Sequence, residues 1–359
     1  MRPEPINNIM NITPYKGGES KIAGFDKVHK LSSNENPLGF SKSALEAINK
    51  ACLKLNAYPD GGHIELREAI SARFGIDANR IICGNGSDEI FQILGRAYLK
   101  PGDEVIQSEY GFLAYSLVAQ HQGAKCISAP TKDYVAQVDA IISCISEKTK
   151  MIFLDNPSNP TGTYLSFEEI QRLHKAVPSN AILVLDAAYA EYANNNDYSA
   201  GLELAAQFDN VVMTRTFSKI HGLAALRIGW GYGPQHIIDA LNRVRDPFNL
   251  NSLAIAAGIA AMQDTEFVAK SNSHNKLWLD KISEEFTASG YKVIPSVANF
   301  ILVEFVSENQ ANDFDEHLKA NAIIARKVAS YNLPKCLRIS IGTEEANLLL
   351  IKAMKEFQK

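Results

Sequence analysis

The sequence predicts an α/β protein: a mainly parallel sheet between helices, with a smaller α+β unit after it. Three observations carry that reading. Met151–Leu154, Ala181–Leu185 and Val211–Met213 are near-continuous apolar runs, the pattern of parallel strands buried on both faces. Segments with helical apolar spacing, such as Phe167–Ala176, separate them, and that alternation builds a sheet covered by helices. Near the C-terminus the pattern changes: Leu337, Ile339 and Ile341 alternate with Arg338 and Ser340, the period of a strand with two unlike faces.

Taken in order, residues 1–30 are polar, with Pro3, Pro5, Pro14 and Gly17-Gly18, and read as an extended arm. Ser33-Asn34-Glu35-Asn36-Pro37-Leu38-Gly39 is a loop by its turn residues. A helix over Ser41–Leu55 places Ala44, Ile48, Ala51, Cys52 and Leu55 on one face. After the loop Tyr58-Pro59-Asp60-Gly61-Gly62 comes a helix over Ile64–Phe74. Arg80–Cys83 is a short strand, Ser87–Tyr98 a helix, and Glu104–Ile106 a strand after the turn Pro101-Gly102-Asp103. The alternation then continues to about residue 215. A long helical region spans 252–289. Asn299–Phe305 is a strand, Ala311–Asn321 a helix, and Ile323–Arg326 one short strand. The expected division is an arm at 1–30, a large α/β domain at 31–250, and a connecting helix with a small α+β domain at 251–359, with contributions from the N-terminal segment.

A chain of 359 residues is long enough for a large core in one large and one smaller domain. Its net charge of −4 and pI near 6.1 give no basic footprint for nucleic acid. Five scattered cysteines, none at C-x-x-C spacing, suggest neither a disulfide framework nor a zinc ribbon, and a reducing cytoplasm fits. Met1–Pro14 has no apolar signal-peptide core. The apolar run Leu253–Met262 is shorter than the ~20 residues a bilayer requires. Eight histidines without paired spacing point away from a metal site. Ser218 and His221 are close in sequence but lack a nucleophile elbow, so His221 is expected as a wall of the pocket.

Four stretches could carry chemistry. Gly84-Asn85-Gly86-Ser87-Asp88-Glu89 follows a strand and opens a helix. Such a turn is either an N-capped helix start or an anion cradle of backbone amides. Asn156-Pro157-Ser158-Asn159-Pro160-Thr161-Gly162 is a rigid loop directly after a strand, at the edge where open α/β sheets bind ligands. Asp186-Ala187-Ala188-Tyr189 puts a carboxylate at another strand end; it can cap a helix or pair with a protonated pyridine nitrogen. Thr214-Arg215-Thr216-Phe217-Ser218-Lys219 is followed by Arg227. Lys219 is either one surface lysine among many or, with small hydroxyls and a guanidinium beside it, suited to a cofactor with an aldehyde at one end and a phosphate at the other. Pyridoxal 5′-phosphate is such a cofactor, held through a lysine.

In this order, each after a strand, N-P-x-N-P-T-G, D-x-A-Y, S-K and R-x-G resemble the fold-type I pyridoxal-phosphate aminotransferases. The resemblance covers nearly the whole chain. It implies a mainly parallel seven-stranded sheet in the large domain. Within that family, several details are similar to the branch acting on L-histidinol phosphate. They are Thr13-Pro14-Tyr15, Asn34-Glu35-Asn36-Pro37, Tyr58-Pro59, Gly86-Ser87-Asp88-Glu89 and Cys336-Leu337-Arg338-Ile339-Ser340-Ile341-Gly342-Thr343.

By that resemblance Lys219 holds the cofactor covalently and shuttles the proton, and Asp186 pairs the ring nitrogen. Asn159 and Tyr189 bond the ring oxygen, and Tyr110 stacks on the ring. Gly86, Ser87 and Asp88 hold the phosphate with Thr216, Ser218 and Arg227, and Tyr58 reaches the phosphate of a neighbouring subunit. Arg338 forks onto a substrate carboxylate. Arg326 holds an anionic tail, and Asn34 and Tyr15 complete the substrate site. A homodimer is implied, with a small-molecule amino donor and 2-oxoglutarate as substrates, and neither nucleic acid nor membrane as partner. One departure is that many relatives carry Glu where this chain has Ala187, which is expected behind the site. Other reactions stay open on the same motifs: aromatic amino-acid transamination, decarboxylation of a phosphorylated amino acid, or a non-catalytic effector-binding module.

Overall fold

A computed structural model describes residues 2–6, 8–14 and 19–357 of the chain. Seven strands form the main sheet: β1 Ile81–Gly84, β2 Glu104–Ser108, β3 Lys125–Ala129, β4 Thr149–Asp155, β5 Ile182–Asp186, β6 Val211–Thr216 and β7 Gly229–Tyr232. Their order is β1-β7-β6-β5-β4-β2-β3. Only β7 runs antiparallel to its neighbours. The other strands are mutually parallel, so their C-terminal ends share one edge.

The apolar runs have the predicted cause. Alternate residues feed opposite faces of the sheet. Ile81, Cys83, Ile152, Leu154, Leu183, Leu185, Val211 and Met213 join one core. Ile82, Phe153, Ile182, Val184 and Val212 join the other. Each strand is therefore buried on both sides.

Helices α1 Lys42–Ala51, α2 Ile64–Phe74, α3 Gly86–Tyr98 and α4 Leu113–His121 lie in the first third of the chain. Ser41 caps α1, accepting the amide of Ala44. The predicted apolar face of α1 stops short: the chain tightens to a 3-10 turn over Cys52–Lys54, and Cys52 and Leu55 are exposed. The helical region after 251 is two helices, Ser252–Gln263 and Thr265–Ala288. They break at Asp264, whose carboxylate accepts the amide of Phe267 and caps the second.

The second sheet holds β8 Lys292–Ile294, β9 Phe300–Glu304, β10 Arg326–Val328 and β11 Leu333–Ser340, all antiparallel, in the order β8-β9-β11-β10. The single strand expected at Ile323–Arg326 is divided. Ile323–Ile324 pairs in parallel with His29–Lys30, whereas Arg326 begins β10. The end of the expected arm is thus a strand, and Leu31 after it enters the core of this second unit. Arg338 and Ser340, on the polar face of β11, are buried. That face looks toward the cavity edge of the main sheet. Among the described residues, no helix is long and apolar enough to cross a membrane.

Candidate active site

The loops after β1, β2, β4, β5 and β6 all leave from the shared C-terminal edge, where doubly wound sheets hold ligands. They enclose a cavity of about 240 Å³. It opens into a second of about 470 Å³, which shares Ser33, Asp88, Phe112, Asn159, Tyr189, Lys219 and Arg227 as lining.

At one end lies an anion cup. α3 begins at Gly86, so the first amides of the helix have no partner within it. Gly86 is left-handed, with φ +74°, which only glycine adopts without cost. Gly229 of β7 packs directly beneath: a Cβ there would stand 2.5 Å from both the Gly86 carbonyl carbon and the Ser87 nitrogen. Bare backbone therefore sets the height of the helix start. Ser218 and Arg227 close the cup, with the Arg227 guanidinium 3.5 Å from the Ser218 hydroxyl and 3.1 Å from the Asp88 carboxylate. Thr216 accepts the Ser218 amide at 3.1 Å, which fixes the turn.

At the other end is Asp186, fully enclosed at the tip of β5. Tyr115 donates its hydroxyl to Oδ2 at 2.8 Å, and Thr214 donates to Oδ1 at 3.3 Å. Burial dominates its titration and raises the carboxyl to about 7. Asp155 stands opposite it on β4. It accepts the Asn159 amide at 2.7 Å and the Ser158 hydroxyl at 3.1 Å, and burial raises it to about 6.

Lys219 lies between the ends. Its Nζ donates to the Ser33 carbonyl at 3.3 Å and sits 5.7 Å from the Tyr189 ring centroid. Burial, then the charge of Arg338, lowers its amine to about 8. The free base, the form a nucleophile requires, is then about a tenth of the population at pH 7. Asn34 donates to the Tyr189 hydroxyl at 2.8 Å. Arg338 donates to Asn159 Oδ1 and, at 2.7 Å, to the Ser32 carbonyl. Arg326 and Arg338 both line the larger cavity. Two cis peptide bonds, Asn156–Pro157 and Asn159–Pro160, shape the loop that carries Asn159.

Of the residues singled out from sequence, these loops bring together Gly86, Ser87, Asp88, Asn34, Asn159, Asp186, Tyr189, Thr216, Ser218, Lys219, Arg227, Arg326 and Arg338. Tyr110 is a correction. Tyr110 lines neither cavity, and its ring tilts against Tyr134 at 5.9 Å. The aromatic on both cavities is Phe112, two residues on. His221 is a second correction: it lines neither cavity but packs on Phe217 at 5.1 Å, its imidazole lowered to about 4 by burial. Tyr58 lies outside the cavities, 83% exposed and stacked on Phe248 at 4.8 Å. Tyr15 falls outside the described residues. Ala187 is in the core and touches neither cavity.

Sequence reasoning passed over Phe112 and Tyr115. Phe112 lies in the loop after β2, at the sheet edge that also carries Asp186, whereas Tyr115 is already inside α4 and reads as core. Among the described residues, no cluster of His, Cys, Asp or Glu is arranged to hold a metal.

A cup of amides with one arginine, a buried lysine and a buried acid beyond it define a site for a phosphorylated, carbonyl-bearing ring. Comparison with known proteins agrees. The family model for class I and II aminotransferases matches residues 26–354. The chain belongs to that family. It is 50% identical over 358 residues to the histidinol-phosphate aminotransferase of Maricaulis maris, covering 99% of each chain. It is 49% identical over 357 residues to that of Paramagnetospirillum magneticum, covering 99% of this chain and 98% of the relative. A crystal structure of histidinol-phosphate aminotransferase from Sinorhizobium meliloti in complex with pyridoxal-5′-phosphate superposes with TM-score 0.91 at 25% identity, covering 99% of each chain.

Proposed function

We propose that this enzyme is a pyridoxal-phosphate-dependent aminotransferase that moves the amino group of L-histidinol phosphate to 2-oxoglutarate, giving imidazole acetol phosphate and L-glutamate in histidine biosynthesis. The observation that carries the reading is the joined pair of cavities. One has the donor set for the cofactor, and the other presents Arg326 and Arg338 to an anionic substrate. Full-length likeness to two histidinol-phosphate aminotransferases supports the donor.

The chemistry supplied by the bound cofactor is an aldehyde carbon for the substrate amine and a ring that draws off electron density. The protein's residues do the rest. The amides of Gly86, Ser87 and Asp88, with Thr216, Ser218 and Arg227, hold the phosphate, as a helix N-terminus does. Asn159 and Tyr189 face the ring oxygen. Asp186 faces the ring nitrogen, where an anion favours the protonated form. Phe112, rather than Tyr110, offers its face to the ring. Lys219 would hold the cofactor covalently, and its lowered basicity would leave its amine able to accept the proton of the substrate α-carbon. Arg338, aligned by Asn159 and Ser32, takes a carboxylate in a bidentate fork. Arg326 takes the far anion, and Asn34 completes the substrate wall beside Tyr189, with Tyr15 assigned there too.

A homodimer belongs to the same reading. Tyr58, Leu53, Leu55 and Ile64 are large apolar side chains left exposed, as residues that a symmetric partner covers are in a single chain, and Tyr58 would serve the partner's phosphate cup. A fully active monomer by light scattering contradicts this. The reading also keeps the division at about residues 30 and 250, and a cytoplasmic location in line with five free cysteines.

The test is a half-reaction screen with the yellow holoenzyme. Histidinol phosphate should discharge the cofactor band faster than phenylalanine at equal concentration, without release of carbon dioxide. Lys219→Ala should lose the band of the covalent form and at least ~10⁴-fold in turnover. Turnover retained in that variant sinks the assignment, and a faster discharge by phenylalanine moves the substrate to the aromatic amino acids.

A further inference from the structure

We propose that Tyr115 is a positioning residue for this reaction: its hydroxyl, 2.8 Å from Asp186 Oδ2, keeps the proton shared between Asp186 and the cofactor's ring nitrogen on the nitrogen. This rests on the reading that Asp186 meets that nitrogen.

A proton between a carboxylate and a pyridine can sit on either partner. Water exclusion favours the neutral arrangement, carboxylic acid beside neutral pyridine, because separated charges are costly in a buried site. Asp186 is buried, and among the described residues it has no salt bridge to offset that cost. Asp155, its register partner on the next strand, adds a second carboxylate and pushes the same way. With burial raising its carboxyl to about 7, what draws Asp186 back toward the anion is donation to its oxygens. The two side-chain donors are Tyr115 at 2.8 Å and Thr214 at 3.3 Å. Donation to a charged oxygen strengthens as its charge grows, so it stabilises the carboxylate over the acid.

The Tyr115 ring is clamped. It stacks on Phe153 at 4.5 Å and 5°, with Phe91 and Phe112 edge-on at 5.3 and 5.8 Å. Burial, then the charges of Asp186 and Asp155, hold its hydroxyl well above the usual tyrosine range, so it remains a donor at every working pH. Phenylalanine would fill this aromatic cluster equally well. A buried hydroxyl adds nothing to packing and is costly unless bonded. Among the described residues its hydrogen-bond partner is Asp186.

The test uses holoenzyme loaded with cofactor labelled with 15N in the ring. In the wild type the ring nitrogen resonates at the protonated position. Tyr115→Phe removes one oxygen and keeps the stack. The expected change is about 10–100-fold in the ratio of the two proton positions, seen as a move of the 15N shift toward neutral pyridine. Turnover falls with it, while KM for the amino donor stays within about twofold. Thr214→Val moves the shift the same way by less, and fluorotyrosine at position 115 leaves it at or beyond the wild-type position. A shift unchanged in both Tyr115→Phe and Thr214→Val overturns the inference while leaving Asp186 in place. A neutral ring nitrogen in the wild type itself overturns the placement of Asp186.

Discussion

The two ends of the smaller cavity are built on opposite principles. The anion end is made of backbone amides, the hydroxyls of Thr216 and Ser218 and one arginine, and its Arg227–Asp88 pair is half-exposed on both sides. The acid end is made of side chains packed in an aromatic cluster, with Asp186 shut away from water. Charges at the first end interact through solvent and are individually weak. At the second end one hydrogen bond is worth far more, because nothing else can replace it. The contrast teaches that the open end should set affinity, and the closed end should set rate.

The largest expected effect tests the closed end. Asp186→Ala should lower turnover by about 10³-fold, the scale of removing one preorganised charge-stabilising group, with the cofactor still bound by absorbance. A loss under tenfold breaks the comparison. Next is the open end. Arg227→Ala should weaken cofactor binding by about 10–100-fold and flatten its salt dependence, while turnover at saturating cofactor stays within about threefold. Equilibrium binding at two ionic strengths checks this. The smallest effect sharpens the wall between the ends. Phe112→Ala should weaken cofactor binding about tenfold, as loss of an aromatic face does, whereas Tyr110→Ala should change it less than twofold. The reverse order would restore Tyr110 to the stacking role.

The same contrast governs what could be read from the chain. At the open end, the Gly86 turn alone read equally well as a helix cap; Gly86, Ser218 and Arg227 were singled out only by the order of their motifs along the chain, as a family resemblance. Asp186 was legible by its place at the end of an apolar strand. Tyr115, Phe112 and Phe153 were not, because an aromatic residue at helical or strand spacing is core by default. Tyr110 and Phe112 differ only by which side of the Gly111 turn they leave, and that is decided by tertiary packing. Elements failed for similar reasons. β7 reads Gly-Trp-Gly-Tyr, too glycine-rich for a strand pattern, because it must press against other backbones. Ile323–Arg326 looked continuous, yet Ile323 pairs with His29, nearly 300 residues away in sequence, and Arg326 with Arg338, close by in the same hairpin.

Gly229 carries a consequence for the history of such a site. With the Gly86–Ser87 peptide 2.5 Å from where any side chain would begin, a single methyl would lift the helix start off its footing. Every other amino acid at this position carries at least that methyl. Selection can tune the arginines and aromatics around the cavity step by step, but here it has no neighbouring sequence to visit. Saturation mutagenesis should leave this row blank, a fixed point around which the specificity of descendants can drift.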